Sequence, residues 1–327
     1  MRCLITGASG FIGSHLAEAL SKRGDEVFCL VRKSSNLRWL KDVNPRYFYG
    51  EVSQKDSLRE AVRAADCIYH LASLTKAVRP QDYYRINAEG TRNLLEVCAE
   101  ENPRLKKIII VSSLAAAGPS PAGTPIAEDS PPAPITDYGR SKLQQEGIAR
   151  EFISRLPIAI VRPPAVYGPR DRDIFFYFKM IKKGAAFFAG SEDPVVSVVY
   201  APDLAKALIA VADCAKSPGE IYYAANEQPH RISELCLLIA AALDVKKFRT
   251  FRFPLAVAQI VALVAEAAAH LTKKPALLNR QKILESRQPA WICSVDKIRR
   301  DTGFSCPTPI EIGLIQTAEW YRRNGWL

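Results

Sequence analysis

The feature that most constrains this 327-residue chain lies in its first two dozen residues. There a four-residue apolar run, CLIT (3–6), meets Gly7, Gly10 and Gly13 and passes straight into FIGSHLAEALSKRG (11–24). The run predicts a short buried strand, and the apolar period of the segment after it predicts a helix ending at Gly24. The glycines therefore fall on a strand-to-helix turn. In that place one glycine permits the tight turn, one lets the backbone approach a ligand closely, and one lets the helix pack near the sheet. The first helical N–H groups, unpaired and at the positive end of the helix dipole, then face any anion that enters. A pyrophosphate suits such a turn, with Gly7, Ser9, Gly10, Phe11, Ile12 and Gly13 as its candidate contacts. A glycine-rich turn without a ligand shares the pattern, so the rest of the chain decides.

Beyond the turn, strand and helix patterns alternate. Strands are expected over EVFCLVR (26–32), from about residue 46 in RYFYGEV, over CIYHLA (67–72) and over KKIIIVSSLAAAG (106–118). Helices are expected from about Ser57 and over NAEGTRNLLEVCAEE (87–101). Strand and helix joined by short loops predict an α/β fold, a doubly wound parallel sheet of Rossmann type. The length leaves room for a second, smaller C-terminal substrate domain. We place the boundary near residue 166, with segments of about 195–225 returning to the first domain and 167–327 forming mainly the second.

Composition excludes several classes. Hydrophobic residues at 48% and charged residues at 24% describe an ordinary globular protein. The net charge of +11 attracts phosphates, but the lysines and arginines are scattered and no nucleic-acid-binding motif accompanies them, so a nucleic-acid partner is not expected. Eight cysteines without a CxxC pair sit largely in apolar segments and read as free thiols. Arg2 and Cys3 run directly into the first strand with no export signal before them, so a cytoplasmic location is expected. The four histidines, 15, 70, 230 and 270, have no metal-ligand spacing, and no metal is expected.

Two further stretches carry chemistry. The second strand ends in Arg32 and Lys33, followed by Ser34 and Ser35, where a dinucleotide site for NAD usually places a carboxylate on the ribose. A guanidinium, an ammonium and hydroxyls suit a 2′-phosphate, which favours NADP over NAD. Solvated loop charges are the plainer alternative. Ser112 and Ser113 end the fifth expected strand, where open parallel sheets bind their ligands. Beyond a Pro-rich loop, DYGRSKLQQEG (137–147) predicts a helix that places Tyr138 and Lys142 on one face. An ammonium beside a phenol lowers the phenol pKa, as would a nearby nicotinamide cation. The phenol can then exchange a proton with a carbinol or carbonyl while hydride moves to or from a nicotinamide.

TGASGFIG, HLAS, NAEGTRNLL, VSSLAAAG and YGRSK, in this order and spacing, resemble the extended short-chain dehydrogenases/reductases. That group includes NAD-dependent epimerases/dehydratases, dihydroflavonol-type reductases and 3β-hydroxysteroid dehydrogenases. The likeness continues through LPIAIVRPPAVYGPRD (156–171), VVYAPDLAKAL (198–208) and WICSVDKIRRDTGF (291–304), essentially the whole chain. It implies Ser113, Tyr138 and Lys142 as the catalytic trio. It also implies a cofactor site built from the glycine turn, Arg32, Lys33, Glu51, Val52, Leu71, Ala72, Ser73, Tyr138, Lys142, Pro163 and Val166. Asn87 matches a position that supports such a site, and a homodimer is expected. Glu51 stands where the family commonly has Asp, and Pro202 in YAPDLA is a departure.

The trio does not separate the family's reactions. Leu114 and Ala115 follow Ser113 where a sugar dehydratase normally adds an acid/base carboxylate, so a dehydratase is not expected. LVRKSS and SVVYAPDLAKA resemble the branches that reduce or oxidise apolar secondary alcohols and ketones, which is the first reading. A nucleotide-sugar epimerase is the alternative, with Arg170, Arg172, Lys179, Lys182 and Lys183 available for a diphosphate. A non-catalytic NADP-binding regulator is the alternative of another class; the intact trio argues against it. Finally, FPLAVAQIVALVAEAAAHLTKK (253–274) sets Gln259, Glu266, His270 and Lys273 on one narrow stripe of an otherwise apolar helix. Glu266 speaks against a spanning helix. Ordinary packing, a substrate lid or dimer contact, and a membrane-surface contact remain open, in descending order.

Overall fold

The computed structural model describes residues 1–272, 275–276 and 279–327. The chain opens with β1 (Arg2–Thr6), α1 (Phe11–Lys22), β2 (Glu26–Val31) and β3 (Arg46–Tyr49). A 3-10 turn at Lys55–Leu58 precedes α2 (Arg59–Ala64), β4 (Cys67–His70) and α3 (Pro80–Tyr83). Then come α4 (Gly90–Glu101), β5 (Lys107–Val111), α5 (Leu114–Ala117), α6 (Asp137–Phe152) and β6 (Ile158–Arg162). β7 (Ala165–Tyr167), α7 (Phe175–Lys182), β8 (Ala185–Ala189), β9 (Val195–Val196) and β10 (Val198–Tyr200) lead to α8 (Ala201–Asp213) and β11 (Ile221–Tyr223). β12 (His230–Arg231), α9 (Ile232–Ala242), β13 (Arg249–Phe253), α10 (Leu255–Thr272) and α11 (Arg280–Ser286) come next. β14 (Ala290–Trp291), α12 (Asp296–Thr302) and α13 (Ile310–Arg323) end the chain.

Seven strands form one sheet in the order β11-β6-β5-β4-β1-β2-β3, every neighbour parallel. Successive side chains of a strand point to opposite faces, and here both faces are covered. Cys3, Ile5 and Cys29 pack with Leu16 and Leu20 of α1 and with Leu204, Leu208 and Val211 of α8. Leu4, Phe28, Ile68, Ile108 and Ile110 pack on the other side with Leu94 and Leu95 of α4 and with Ile148 and Phe152 of α6. That two-sided burial is why these strands read as continuous apolar runs. The strand order reverses between β1 and β4, and a crevice opens there at the carboxyl ends of the strands. The C-terminal helices α7, α9 and α13 enclose a separate core around Phe178, Ile239, Leu314 and Tyr321.

Several expected boundaries shift. The strand expected over 106–118 ends at Val111, because beyond the sheet the LAAA segment closes a short helix whose N-cap is Ser113. The helix expected from Ser57 begins as a 3-10 turn. A π-helical turn at Tyr84–Glu89 precedes α4, and Gly90 lets that helix approach Val52, whose Cγ2 lies 2.7 Å from where a Cβ would sit. The eight cysteines are free thiols, six of them buried.

Among the described residues no helix is long and apolar enough to cross a membrane. In the long apolar helix α10, Ala258, Ala262 and Ala269 face inward. Glu266 of the polar stripe accepts hydrogen bonds from the Arg280 N–H (2.8 Å) and Nε (2.7 Å). Lys273 and the side chain of His270 lie outside the described residues.

Two histidines are built into this frame uncharged. His15 Nε2 donates to the Pro169 carbonyl at 2.9 Å, and burial with the nearby Arg170 charge lowers its pKa to about 4. His70 sits between the hydroxyls of Thr6 (2.7 Å) and Thr91 (2.9 Å), and burial lowers it to about 3. The unfolded chain takes up protons near pH 6.5 while the folded chain takes up none until well below, so this stability is complete above pH 6.5 and is lost as pH falls. The slope is roughly 1.4 kcal/mol per pH unit for each histidine. Urea midpoints between pH 7.5 and 5 should therefore decline. His15→Gln, which keeps a donor for Pro169, should make that decline shallower by about one proton's worth.

Candidate active site

The glycine turn after β1 is a cradle that side chains would fill. Gly7 has φ +74°, and a Cβ there would lie 2.8 Å from the Ala72 nitrogen and the Leu71 carbonyl carbon. A Cβ on Gly13 would lie 2.3 Å from the Gly7 oxygen. Gly10 is the N-cap of α1 and no side chain caps that helix, which leaves its first N–H groups for an anion. The chain after β4 is fixed against this turn: the Leu71 N–H donates to the Thr6 carbonyl and the Ala72 N–H to Thr6 Oγ1, each at 3.1 Å. Backbone proximity, free helical donors and absent side chains together fit the pyrophosphate of a dinucleotide.

From this turn runs one cleft of about 1980 Å³. Gly7, Ser9, Gly10, Phe11, Ile12, Gly13, Arg32, Glu51, Val52, Leu71, Ala72, Ser73, Ser113, Tyr138, Lys142, Pro163 and Val166 all line it. Lys33 does not. The Arg32 N–H donates to Ser35 Oγ at 3.0 Å and the Ser35 N–H returns to the Arg32 carbonyl at 2.9 Å, a tight turn that leaves Lys33 exposed and off the cleft. Ser35, Asn36 and Arg38 line the same end instead. Arg32 Nη1 stands 3.8 Å from Glu51 across the cleft.

At the other end of the cleft, Lys142 is buried and donates from Nζ to the Val111 carbonyl at 2.8 Å, with Ser73 Oγ at 3.5 Å. Burial lowers its pKa to about 7, against an opposing pull from Glu146. Burial pushes the Tyr138 phenol up to about 12, and the Ser113 hydroxyl partly offsets this. The depression of Tyr138 by Lys142 expected from their spacing is thus not found in the chain by itself. The ammonium turns to the end of β5, and desolvation dominates at the phenol.

The surroundings of the trio are polar, buried and paired. Arg162 donates to both Glu146 oxygens, at 2.9 and 2.6 Å, and to the Tyr223 hydroxyl at 3.0 Å. Ser112 Oγ donates to the same carboxylate at 2.5 Å. Asn87 lies behind the cleft wall: its Oδ1 accepts from Ser73 Oγ and the Leu74 N–H, and its Nδ2 donates to the Leu74 carbonyl and Ser141 Oγ. Asp137 and Gln281 exchange two hydrogen bonds, at 2.8 and 2.5 Å, joining the start of α6 to α11. Sequence reasoning missed the Arg162–Glu146 pair, although an arginine closing the apolar strand IAIVR was a signal. For Gln281 there was none. Of the five basic residues considered for a diphosphate, Arg170 and Arg172 line the cleft, while Lys179, Lys182 and Lys183 do not. Arg170 is already engaged with Ser14 and Glu18.

A doubly wound parallel sheet with a glycine cradle at its switch point, and a Ser/Tyr/Lys cluster beside it, defines an enzyme of the extended short-chain dehydrogenase/reductase type. Residues 3–225 match the NAD dependent epimerase/dehydratase family, and the chain belongs to that family. Ceramide reductase of Caulobacter vibrioides is 27% identical, over 99% of this chain and 95% of its own. The N-acetyl-α-D-glucosaminyl-diphospho-ditrans,octacis-undecaprenol 4-epimerase of Escherichia coli is 24% identical, over 97% and 94%. The crystal structure of UDP-glucose 4-epimerase from Thermotoga maritima superposes with a TM-score of 0.82 at 20% identity over 99% of each chain, a likeness of fold.

The buried pair gives a direct test of what holds the site. Arg162→Ala strands the Glu146 carboxylate without its counter-charge and should cost about 3–5 kcal/mol in urea unfolding. Arg162→Met combined with Glu146→Leu removes both charges and should recover much of that loss.

Proposed function

We propose that the chain transfers hydride between NADP(H) and a secondary alcohol or ketone on a largely apolar substrate. The observation that carries this reading is the lining of the cleft beyond Tyr138. There Phe176, Tyr177, Phe187, Phe188, Phe253 and Val257 form the wall, and of the five basic residues considered for a nucleotide diphosphate only Arg172 both lines the cleft and has no ion pair among the described residues. A reductase of a ceramide among the relatives supports an apolar substrate. So does a sterol-4-alpha-carboxylate 3-dehydrogenase of Homo sapiens, 30% identical over 52% of this chain. Arg32, Ser35 and Arg38 at the end of β2, with Glu51 as the only carboxylate lining that end among the described residues, support NADP.

The cofactor, when bound, donates or accepts the hydride and in its oxidised form adds a positive charge that favours the phenolate. In the reducing direction Tyr138, protonated at neutral pH, gives its proton to the substrate carbonyl oxygen as the carbon receives hydride. Ser113 donates a hydrogen bond to that oxygen and holds it on the phenol. Lys142, anchored at the Val111 carbonyl and titrating near neutrality, steadies the phenolate left behind and supports its reprotonation. Asn87 and the Arg162–Glu146 pair touch no reacting atom; they position Ser73, Ser112 and α6.

Two measurements test this. Tyr138→Phe should lower kcat on the preferred ketone by about 10²–10⁴-fold with NADPH affinity unchanged; an output indifferent to the substitution would mean a binding protein and not an enzyme. In fluorescence titrations NADPH should bind more tightly than NADH. Arg32→Ala should weaken NADPH by about tenfold, the worth of one charge-assisted hydrogen bond, and leave NADH alone. A wild-type preference for NADH, with product formed without net cofactor consumption, would replace the oxidoreductase by an epimerase.

A further inference from the structure

Helix α10 is packed with its small side chains inward and its large ones outward. Ala258 and Ala262 meet Ile283 of α11, while Ile260 and Val264, each 64% exposed, share the outer face with Val257, Val261, Leu263 and Leu271. At 100° per residue these six cover about 160° of the helix. Beside them Phe187, Phe251 and Phe253 project half-exposed from one face of the β8–β13 pair, their rings stacked at 5.4 and 5.9 Å. The ridge and the helix face adjoin through Phe253, two residues before α10 begins, and exposed apolar patches mark interaction sites. The patch also edges the cleft of Tyr138, which Phe187, Phe253, Val257 and Val261 line in part.

The end of this patch at which β8 and β13 begin is basic, while Glu192 stands beyond the other end of β8. Lys182 and Lys183 enter β8, Lys246 and Lys247 enter β13, and Arg249 stands in β13 on the face of Phe251; all are exposed. Among the described residues none of the five has a carboxylate within ion-pair distance, and Asp244, close by in sequence, is paired with Arg322 at 3.5 Å. A second copy docked on this patch about a twofold axis would bring the same unpaired cations toward one another. A bilayer surface carrying anionic headgroups would receive the apolar ridge and neutralise the rim together.

We propose that the outer face of α10 and the phenylalanine ridge of β8–β13 dock on an anionic phospholipid bilayer, with the helix lying in the interface. The cleft then opens onto lipid and draws an amphiphilic alcohol or ketone from it, a consequence that rests on the oxidoreductase reading. The docking itself does not.

Flotation of the full chain with vesicles tests it. The protein should float with phosphatidylcholine vesicles containing phosphatidylglycerol, float far less with phosphatidylcholine alone, and release in high salt. Ile260→Glu with Val264→Glu should abolish flotation, and Lys246→Glu with Lys247→Glu should weaken it by at least about tenfold. NADPH titration of both variants confirms that they are folded. No flotation of the wild type, flotation indifferent to Ile260→Glu/Val264→Glu, or a wild-type dimer that this variant dissociates in sedimentation would overturn the proposal. Turnover of a water-soluble ketone without flotation removes the docking and leaves the oxidoreductase. Flotation with no turnover of any ketone does the reverse.

Discussion

Backbone-to-backbone approach at the reversal of strand order is the constraint on which the rest of the site depends. β1 and β4 are neighbours, and the turns that leave them meet where Gly7 stands against Leu71 and Ala72 with no room for a Cβ. Thr6 fixes that meeting from both its carbonyl and its hydroxyl. Because Gly13 closes on the Gly7 carbonyl, the start of α1 is held at the same point, and its unpaired N–H groups face the gap. The cleft runs from this point toward Arg32 at the end of β2 on one side and toward Ser113 and Tyr138 beyond β5 on the other, the two directions a dinucleotide held there would need.

The second half of the site depends on buried charge more than on backbone. Glu146 and Arg162 are nearly inaccessible to water, and a pair so placed is costly unless every donor is matched. Here Ser112 and Tyr223 complete it, so the ends of β5, β6 and β11 and the middle of α6 are held in one register. Lys142, one turn before Glu146 on α6, is desolvated by the same packing, and its lowered pKa results from burial in a neighbourhood whose one carboxylate already has a partner. Burial thus acts in opposite directions on the two groups of this helix, lowering the pKa of the Lys142 ammonium and raising that of the Tyr138 phenol.

Much of this was legible in the sequence where the information is local. The alternation of strand and helix, the glycine turn and the Tyr138–Lys142 spacing each depend on residues within one or two turns of each other. Lys33 shows the limit of that reading: its chemistry suited a phosphate, but the Arg32–Ser35 turn directs it away from the cleft, and a turn's exit direction is not carried by residue type. The phenol of Tyr138 shows another limit, since helix spacing places two side chains on one face without saying which carbonyl captures the ammonium. The Asp137–Gln281 link joins residues 144 positions apart, and nothing in either neighbourhood marks it.

Helix α10 illustrates the subtlest of these limits. A hydrophobic pattern distinguishes apolar from polar, and this helix is apolar on nearly every side, so its pattern does not say which face is buried. The packing instead selects by size. Close approach to α11 and β8 needs alanine, so Ala258 and Ala262 turn inward, and the branched side chains are left outside with Glu266 tied to Arg280 at the seam. A chain whose only problem was to bury apolar area would place Ile260, Leu263 and Val264 in that seam, where their larger surfaces contribute more. The close approach thus leaves branched apolar side chains in water, and the unpaired lysines beside them give the partner that would cover them a sign of charge.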